Sequence, residues 1–557
     1  MKKIILIYVC LLTVLGQASA QPSAVQKVGR SVFTLTTYSE DGTVIATSHG
    51  FFISSDGLAL SEWKPFIGAV RAEVTDGSGK TYPVDCVCGA NELYDVAKFR
   101  VEGRFTPVTL AKTPSDKESK LWAVSPSAKK ASTTEMNVSQ TEKFMDTYLY
   151  YVLTPSVEPE LTGCPLVAAN GEVVALLQPS SETGKSSGTS ALYIASFKPE
   201  ALSANNSTLR RTKIRIDLPD DKEQALLPLM MSAEQYDSAA YVALVEAFIK
   251  KFPTAHDGYV TRAGISMAAG DFEKATRDME TALKYAEKKD EVHFAYANLI
   301  YQKELYQADK PYTAWSLDKA YEEAQKAYDV SPLPIYRHLQ AQIDYVKGDY
   351  QKAYDTFIDL TKTPIRNSEL YYEGAQCKKM LNAPQSEVLE LLDSAVAVCP
   401  KPLLPISAPY LLARGMYLEE IGEYRRAVRD YNVYDTLMVG RIGADFYYMR
   451  EQCEVKGKLY KQALEDVNRA IMLAPGEPMY FAEKASLLLR VNMKEEAFAT
   501  ADNCVKMAPE YAEGYLLRGL AAVQQGWKKQ GLDDLQKAKE LGNVSLVTYK
   551  EIINSIN

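Results

Sequence analysis

Histidine is scarce in this chain of 557 residues. There are four histidines, and only His49 precedes residue 250. Few imidazoles are therefore available to act as a base or as a metal ligand. After residue 20 the chain has no run of about 20 apolar residues, so we expect no membrane-spanning helix beyond that point. The net charge is −8 and no basic stripe is present, which argues against a nucleic-acid partner and against binding to anionic lipid.

Cysteine usage is also limited. Seven cysteines follow residue 20, and an odd number leaves at least one thiol unpaired. Cys86 and Cys88 would share one face of a strand, where a bond between residues two apart has poor geometry; a bridge from one of them to Cys164 stays open. The alternative is that all three are small buried hydrophobic residues. We expect neither a metal nor another cofactor, because Cys-x-Cys without a second pair or a nearby histidine is weak evidence for a metal site.

The opening segment, 1–20, reads "MKKIILIYVCLLTVLGQASA" and places two lysines before an apolar run that ends in small residues. This order is typical of a secretory signal peptide cleaved after Ala20. An uncleaved membrane anchor is the alternative, for which the apolar run is short. Loss of the two lysines would change the net charge from −8 to −10. We expect an exported protein, periplasmic or associated with the outer membrane of a Gram-negative bacterium.

The remainder divides into two parts with different periodicities. Residues 25–200 contain short runs rich in Val, Thr, Tyr and Phe, separated by Gly, Asp, Asn and Ser, which predict a β-sandwich or barrel. Residues 201–222 are polar and are interpreted as a linker. Residues 223–544 show helical periodicity, and residues 545–557 predict a final capping helix.

The helical part repeats itself. Ala463 and Ala497 have the same separation along the chain as Pro475 and Pro509. A small residue recurs where paired helices would touch: Ala263, Ala341, Gly415, Ala485 and Gly519. This pattern resembles the tetratricopeptide repeat (TPR), a helix-turn-helix unit of about 34 residues. The resemblance implies an all-α solenoid of about eight repeats, with irregular units near 291–330 and 367–402; unrelated amphipathic helices are the alternative.

Residues 48–66, "SHGFFISSDGLALSEWKPF", resemble the segment "GSGFIISSDGYILTNAHVV" of trypsin-like serine proteases of the HtrA/Deg family. Residues 91–101, "NELYDVAKFRV", and 157–177, "VEPELTGCPLVAANGEVVALL", resemble the segments around the aspartate and the serine of that family. The resemblance covers nearly all of the β-rich part, 25–200. It implies a chymotrypsin-like fold, two six-stranded β-barrels with the active site between them, followed here by repeats instead of PDZ domains.

At the catalytic positions the chain departs from this family. The aspartate is retained as Asp95, but Lys64 stands at the histidine position, Thr162 at the serine position and Glu160 at the oxyanion glycine. Lysine already carries its proton at neutral pH, and a neighbouring carboxylate favours the charged form, so we expect an ion pair instead of a base. The methyl of Thr162 crowds nucleophilic attack, and glutamate disfavours the positive φ open to glycine. His49 lies on the preceding strand, where we expect it to be structural or exposed.

The resemblance therefore predicts a pseudoprotease without catalytic residues, which acts as a scaffold and binds proteins or peptides in the TPR groove, in a complex of the cell envelope. Two alternatives stay open: a serine/threonine-type endopeptidase using Lys64 and Thr162, and a periplasmic chaperone or substrate-capture factor. The TPR groove positions fall on Leu412, Met416, Tyr448, Gln452, Ala482, Ser486, Leu516 and Leu520. These residues either contact a partner or pack within and between helices.

Overall fold

The computed structural model describes residues 22–180, 183–232 and 238–542. The predicted signal peptide at 1–20 lies outside these residues, and so does the predicted capping helix at 545–557. The chain divides into two compact units, Met1–Glu287 and Lys288–Asn557. None of the helices in the described ranges combines the length and the apolar character that a membrane crossing requires.

The first unit opens with a short helix, α1 (Ser23–Lys27), and two closed β-barrels. In the first barrel the strand order is β1-β2-β3-β6-β5-β4, and the strands are β1 (Val32–Tyr38), β2 (Val44–Phe52), β3 (Leu58–Ser61), β4 (Arg71–Asp76), β5 (Thr81–Asn91) and β6 (Val96–Val101). In the second the order is β10-β11-β12-β9-β8-β7, and the strands are β7 (Lys120–Val124), β8 (Thr133–Phe144), β9 (Tyr148–Thr154), β10 (Pro165–Val167), β11 (Val173–Pro179) and β12 (Ser186–Ser190). Helix α2 (Ala191–Ala195) follows β12. The predicted chymotrypsin-like double barrel is thus confirmed.

Aromatic side chains fill the first barrel. Phe33, Phe52 and Phe99 are fully buried, and the rings of Phe33 and Phe52 lie 4.7 Å apart. A second cluster joins residues of both barrels, among them Phe51 of β2 and Leu176 of β11. Buried and more exposed residues alternate along β1, whereas β10, β11 and β12 are buried almost throughout, so both faces of these three strands are covered.

The segment 201–222, interpreted from the sequence as a linker, packs on the first barrel. Leu209 and Ile214 belong to the core of that barrel. Ile216 forms a parallel bridge with Val87 of β5, flanked by two backbone hydrogen bonds of 2.9 Å. The segment is therefore packed on the first barrel and paired with β5 at this one bridge.

Helices make up the rest of the described chain. In the first unit they are α3 (Lys222–Ser232), α4 (Ser238–Lys251), α5 (His256–Ala268) and α6 (Phe272–Tyr285). In the second unit they are α7 (Lys289–Tyr306), α8 (Leu317–Val330), α9 (Pro334–Lys347), α10 (Tyr350–Leu360), α11 (Ser368–Met380), α12 (Gln385–Val398), α13 (Ala408–Glu420), α14 (Tyr424–Leu437), α15 (Ala444–Lys456), α16 (Tyr460–Leu473), α17 (Pro478–Arg490), α18 (Lys494–Met507), α19 (Ala512–Gln524) and α20 (Lys528–Glu540). Their short connections form successive helix pairs, as a helical solenoid requires.

Two features recur from pair to pair. The small residues Ala263, Ala341, Gly415, Ala485 and Gly519 lie where the two helices of a pair pack, and Gly415 faces the ring of Tyr431 so closely that a Cβ would collide with it. In four repeats, the residue just before this position is an arginine that forms a forked ion pair with an aspartate 16 positions later. The pairs are Arg262–Asp278, Arg414–Asp430, Arg450–Asp466 and Arg518–Asp534. Each ties the first helix of a pair to the second through two parallel hydrogen bonds.

Candidate functional site

The positions that resemble a protease triad come from three elements of the first unit. Lys64 begins a 3-10 turn (Lys64–Phe66) that follows β3. Asp95 lies in the tight turn between β5 and β6, and Thr162 lies in the loop between β9 and β10. The fold therefore places each of them at the end of a strand or in a loop, where side chains of a rigid scaffold commonly carry function.

Lys64 and Asp95 form the ion pair predicted from the sequence. Lys64 Nζ lies 3.1 Å from Asp95 Oδ2, with Lys64 74% exposed and Asp95 14% exposed. Asp95 Oδ1 accepts hydrogen bonds from the backbone N–H groups of Lys64, at 2.7 Å, and of Trp63, at 3.1 Å. These three donors fix the orientation of the Asp95 carboxylate at the end of β3.

Asp95 is held by a side chain from the other barrel. Its φ of 50° is in the left-handed region, a strained conformation for aspartate. Gln178 of β11 donates from Nε2 to the carbonyl oxygens of Tyr94, at 2.6 Å, and of Asp95, at 2.7 Å. Thr189 in turn donates to Gln178 Oε1 at 2.7 Å and fixes the orientation of the amide. Sequence reasoning did not single out Gln178, which sits in an ordinary strand pattern.

Thr162 directs its polar hydrogens at its own loop. Its Oγ1 donates to the carbonyl oxygen of Pro159 at 2.9 Å, and its backbone N–H donates to the same oxygen at 3.2 Å. The second contact closes a 3-10 turn (Pro159–Leu161), in which Glu160 is exposed and does not have positive φ. In an oxyanion hole, backbone N–H groups must point into the cleft, where a developing charge could accept from them. Here the N–H at the nucleophile position is already engaged.

Gly163 and the backbone of His49 lock the loop against β2. Gly163 has a φ of 82°, and a Cβ at this position would collide with the carbonyl oxygen of His49. The His49 N–H donates to the carbonyl oxygen of Thr162 at 3.2 Å. Burial lowers the pKa of the half-buried His49 imidazole, which favours its neutral form. His49 thus supports the loop through its backbone.

A buried carboxyl group, Glu62, lies within this site and was not foreseen from the sequence. Glu62 is 7% exposed, and its Oε2 accepts a hydrogen bond from Ser48. Burial raises the pKa of Glu62, the hydrogen bond from Ser48 opposes the rise, and the charge of Asp95 reinforces it. Glu62 immediately follows β3, so its inward direction was not evident from an alternating pattern. The site therefore contains an acidic group beside Thr162 in addition to the lysine–aspartate pair.

All seven cysteines in the described part of the chain are free and buried. The bridge between Cys164 and Cys86 or Cys88 that the sequence left open is therefore not formed, and the interpretation as buried thiols applies. Burial, together with the charge of Glu62, raises the pKa of the Cys164 thiol. A thiol in that state is a poor nucleophile.

The proposed groove residues separate into two groups by exposure. Met416 is 53% exposed, while Leu412, Tyr448, Gln452 and Ser486 are partly exposed. Ala482, Leu516 and Leu520 are buried; the two leucines pack against Leu535 and Ala538 of α20. For these three, the alternative of packing between helices applies, because α20 and the helices beside it cover the surface that a partner would need.

Comparisons with known proteins agree with this architecture. Residues 47–176 match the trypsin-like peptidase domain family. Similar solved structures include the inactive form of the Rv3671c protease (19% identity, TM-score 0.27, covering 32% of this chain and 93% of that one). The HtrA-type protease AlgW with tripeptide has 17% identity and a TM-score of 0.27, covering 31% of this chain and 60% of that one. The serine endoprotease from Yersinia pestis has 15% identity and a TM-score of 0.28, covering 35% and 68%.

Two curated relatives match short stretches of the chain. The TPR repeat-containing thioredoxin TDX of Arabidopsis thaliana is 29% identical over 82 residues, which are 15% of this chain and 22% of that protein. The small glutamine-rich tetratricopeptide repeat-containing protein 2 of Mycosarcoma maydis is 26% identical over 101 residues, or 18% and 29%. The chain thus spans less than a third of the length of each curated relative. It combines a trypsin-like double barrel with successive helix pairs, and short stretches of it are similar to two tetratricopeptide repeat proteins.

Proposed function

We propose that this protein is an exported scaffold that binds other proteins through its helical repeats and that its trypsin-like barrels do not hydrolyse peptide bonds. The observation that carries the proposal is the state of Thr162. Its hydroxyl and its N–H both donate to the Pro159 carbonyl oxygen. The hydroxyl at the nucleophile position and the N–H that would donate to an oxyanion are thus both hydrogen-bonded within one turn.

Two further contacts support the absence of hydrolysis. Lys64 forms an ion pair with Asp95, and the ammonium group of an ion pair cannot accept a proton from a hydroxyl. Glu160 stands at the oxyanion position, where its carboxylate would repel a developing negative charge. Losing one oxyanion donor alone lowers kcat by about 10²–10³. Together these changes remove the general base, the hydrogen-bond donor to the oxyanion and the electrostatic stabilisation of its negative charge.

One observation favours the alternative of a hydrolase, namely Glu62. A buried carboxyl group with a raised pKa beside a threonine hydroxyl is an arrangement that could accept a proton. A fluorophosphonate probe on the full-length protein separates the two functions. We expect no labelling of the wild type; labelling that disappears in both Thr162→Ala and Glu62→Gln would establish the hydrolase instead.

Binding by the repeats is proposed because helical solenoids present long surfaces suited to peptides and domains. The exposed Met416 on α13 provides the test. A photo-cross-linking amino acid at position 416 of the full-length protein, expressed in its native host, should give discrete protein adducts. The matched control is position 472 on α16, where Met472 is 76% exposed. Equal adducts at both positions, or none at 416, would contradict a partner on the predicted face.

A further inference from the structure

Two cysteines and an aspartate converge on the outer face of the first barrel, away from the triad positions. Cys86 and Cys88 are both buried, at 0% and 2% exposure. Their sulfur atoms and a carboxylate oxygen of Asp217 all lie within 4.8 Å of one another. Cys88 Sγ lies 3.7 Å from Asp217 Oδ2. Asp217 is far from Cys88 along the chain, so the sequence pattern around the cysteines did not reveal it.

The backbone builds this cluster in two steps. The pairing of β5 with β6 shifts register on either side of Cys86–Val87, between Val84 and Cys86 and again between Val87 and Gly89. Val87 enters the barrel core, while the residues on either side of it face the opposite way. Val87 then binds the segment 215–217: its N–H donates to Arg215 O, and its carbonyl oxygen accepts from the Asp217 N–H, both at 2.9 Å. This pairing holds the Asp217 carboxylate over the two thiols.

The orientation of Asp217 is specific. Its Oδ1 accepts the Leu218 N–H at 2.9 Å and lies 3.9 Å from Lys251 Nζ, which leaves Oδ2 directed at Cys88. For a tetrahedral zinc ion with Zn–S of about 2.3 Å and Zn–O of about 2.0–2.2 Å, the sulfur–oxygen edge is roughly 3.6 Å. The observed distance of 3.7 Å between Cys88 Sγ and Asp217 Oδ2 is therefore close to the distance between two ligands of one zinc ion.

We propose that Cys86, Cys88 and Asp217 bind one thiophilic divalent cation, of which Zn²⁺ is the representative, and thereby fasten the 213–218 segment to the first barrel. Thiolate ligands select zinc-like ions over Mg²⁺ or Ca²⁺. Three protein ligands leave a fourth position for water. This proposal departs from the absence of a metal expected from the sequence, and it does not depend on the proposed scaffold function.

The surrounding charges suit the loaded site. Two thiolates, a carboxylate and a divalent ion sum to one negative charge. Arg215 and Arg100 lie beside the cluster and pair with Asp85 and Asp56, each at 2.9 Å.

The test uses the full-length protein, reduced, stripped with EDTA and titrated with Co²⁺. We expect one cobalt ion per chain, with thiolate-to-cobalt charge transfer in the near ultraviolet and the visible bands of tetrahedral Co²⁺. Cys86→Ser and Cys88→Ser should each abolish the charge-transfer band. Asp217→Asn should weaken binding by about tenfold or more, since even outer-shell changes commonly cost about 10–100-fold. Cys377→Ser, at a buried cysteine in α11, is the matched control and should leave the band intact.

Two further measurements use the unmutated chain and so do not depend on whether the variants fold. Cd²⁺ bound in place of Zn²⁺ should give a ¹¹³Cd resonance in the range of mixed sulfur and oxygen ligation. Removing the metal should speed amide exchange in residues 213–218, because the ion anchors that segment. Absence of the cobalt charge-transfer band in the reduced protein, its persistence in both Cys86→Ser and Cys88→Ser, or a cadmium shift of all-oxygen ligation would overturn the proposal.

Discussion

Glu451 offers the sharpest test of how the repeats are held together. It stands one repeat length before Ala485 and so occupies the position where the other repeats carry alanine or glycine. Its side chain is 0% exposed, and Oε1 has no hydrogen-bond partner among the described residues. Burial, with the charge of Glu483 next, raises the pKa of Glu451 to about 8. One repeat thus contains a carboxyl group that the fold prefers to keep protonated.

The pH dependence follows from proton linkage. In the unfolded chain a glutamate ionises near its ordinary pKa of 4.5, whereas in the folded chain Glu451 retains its proton up to about pH 8. Between these values the unfolded state loses the proton first, so stability falls as the pH rises from about 4.5 to about 8. At about 1.36 kcal/mol per pKa unit the limit is roughly 5 kcal/mol. Water entry and helix adjustment reduce such penalties, so we expect about 1–3 kcal/mol.

The perturbation is Glu451→Gln, which keeps the size and removes the ionisation. The charges that face this position are Glu483 and Arg490 on α17, Asp466 on α16 and Glu454 on the same helix, and all four side chains are unchanged in the variant. Amide exchange followed by mass spectrometry on the full chain reads the local stability of residues 444–473. At pH 8 the variant should exchange about 5–150-fold more slowly there than the wild type, and at pH 5 the two should nearly coincide.

The control is Glu496→Gln, at an exposed glutamate in the first turn of α18. It should change exchange in residues 444–473 at neither pH. A Glu451→Gln variant that matches the wild type at pH 8, or that differs from it equally at both values, would refute the reasoning, since a buried carboxyl group with a raised pKa must give a pH-dependent difference.

Three further predictions concern single contacts. Arg450→Met should destabilise the repeats by about 3–5 kcal/mol in thermal unfolding followed by circular dichroism, because it leaves its aspartate partners buried without a counter-charge; no change would show that the forked pairs are dispensable. The double variant Lys64→His, Thr162→Ser should not cleave casein, because the N–H at 162 still closes the turn; measurable cleavage would show that this N–H is available. Gly163→Ala should lower barrel stability by about 1–3 kcal/mol, since its Cβ would strike the His49 carbonyl; an unchanged melting temperature would count against this contact.

Much of the fold was accessible from the sequence because its signals are local. Strand and turn patterns predict a β-sandwich or barrel, and the repeat period predicts the helical repeats. The double barrel was predicted from the family resemblance, which also led to the prediction of the ion pair between Lys64 and Asp95. The forked arginine–aspartate pairs carry a regular spacing that a search for charged residues in the repeats would have found.

The remaining features depend on contacts distant in sequence. The sequence does not distinguish Glu62 from the other glutamates, because only the fold brings it into contact with Ser48 and beside Thr162. Asp217 meets the cysteine pair only because the segment interpreted as a linker pairs with β5. Leu516 became a core residue instead of a groove residue because α20 packs over it. None of these contacts produces a periodic pattern in the sequence.

Hydrolysis is the property on which the proposed function depends most. Purified full-length protein can be incubated with a proteome-derived peptide library and the mixture searched by mass spectrometry for new termini. The proposed function predicts no termini beyond those in a blank, for the wild type as for Thr162→Ala. New termini that the wild type generates and Thr162→Ala does not would contradict it.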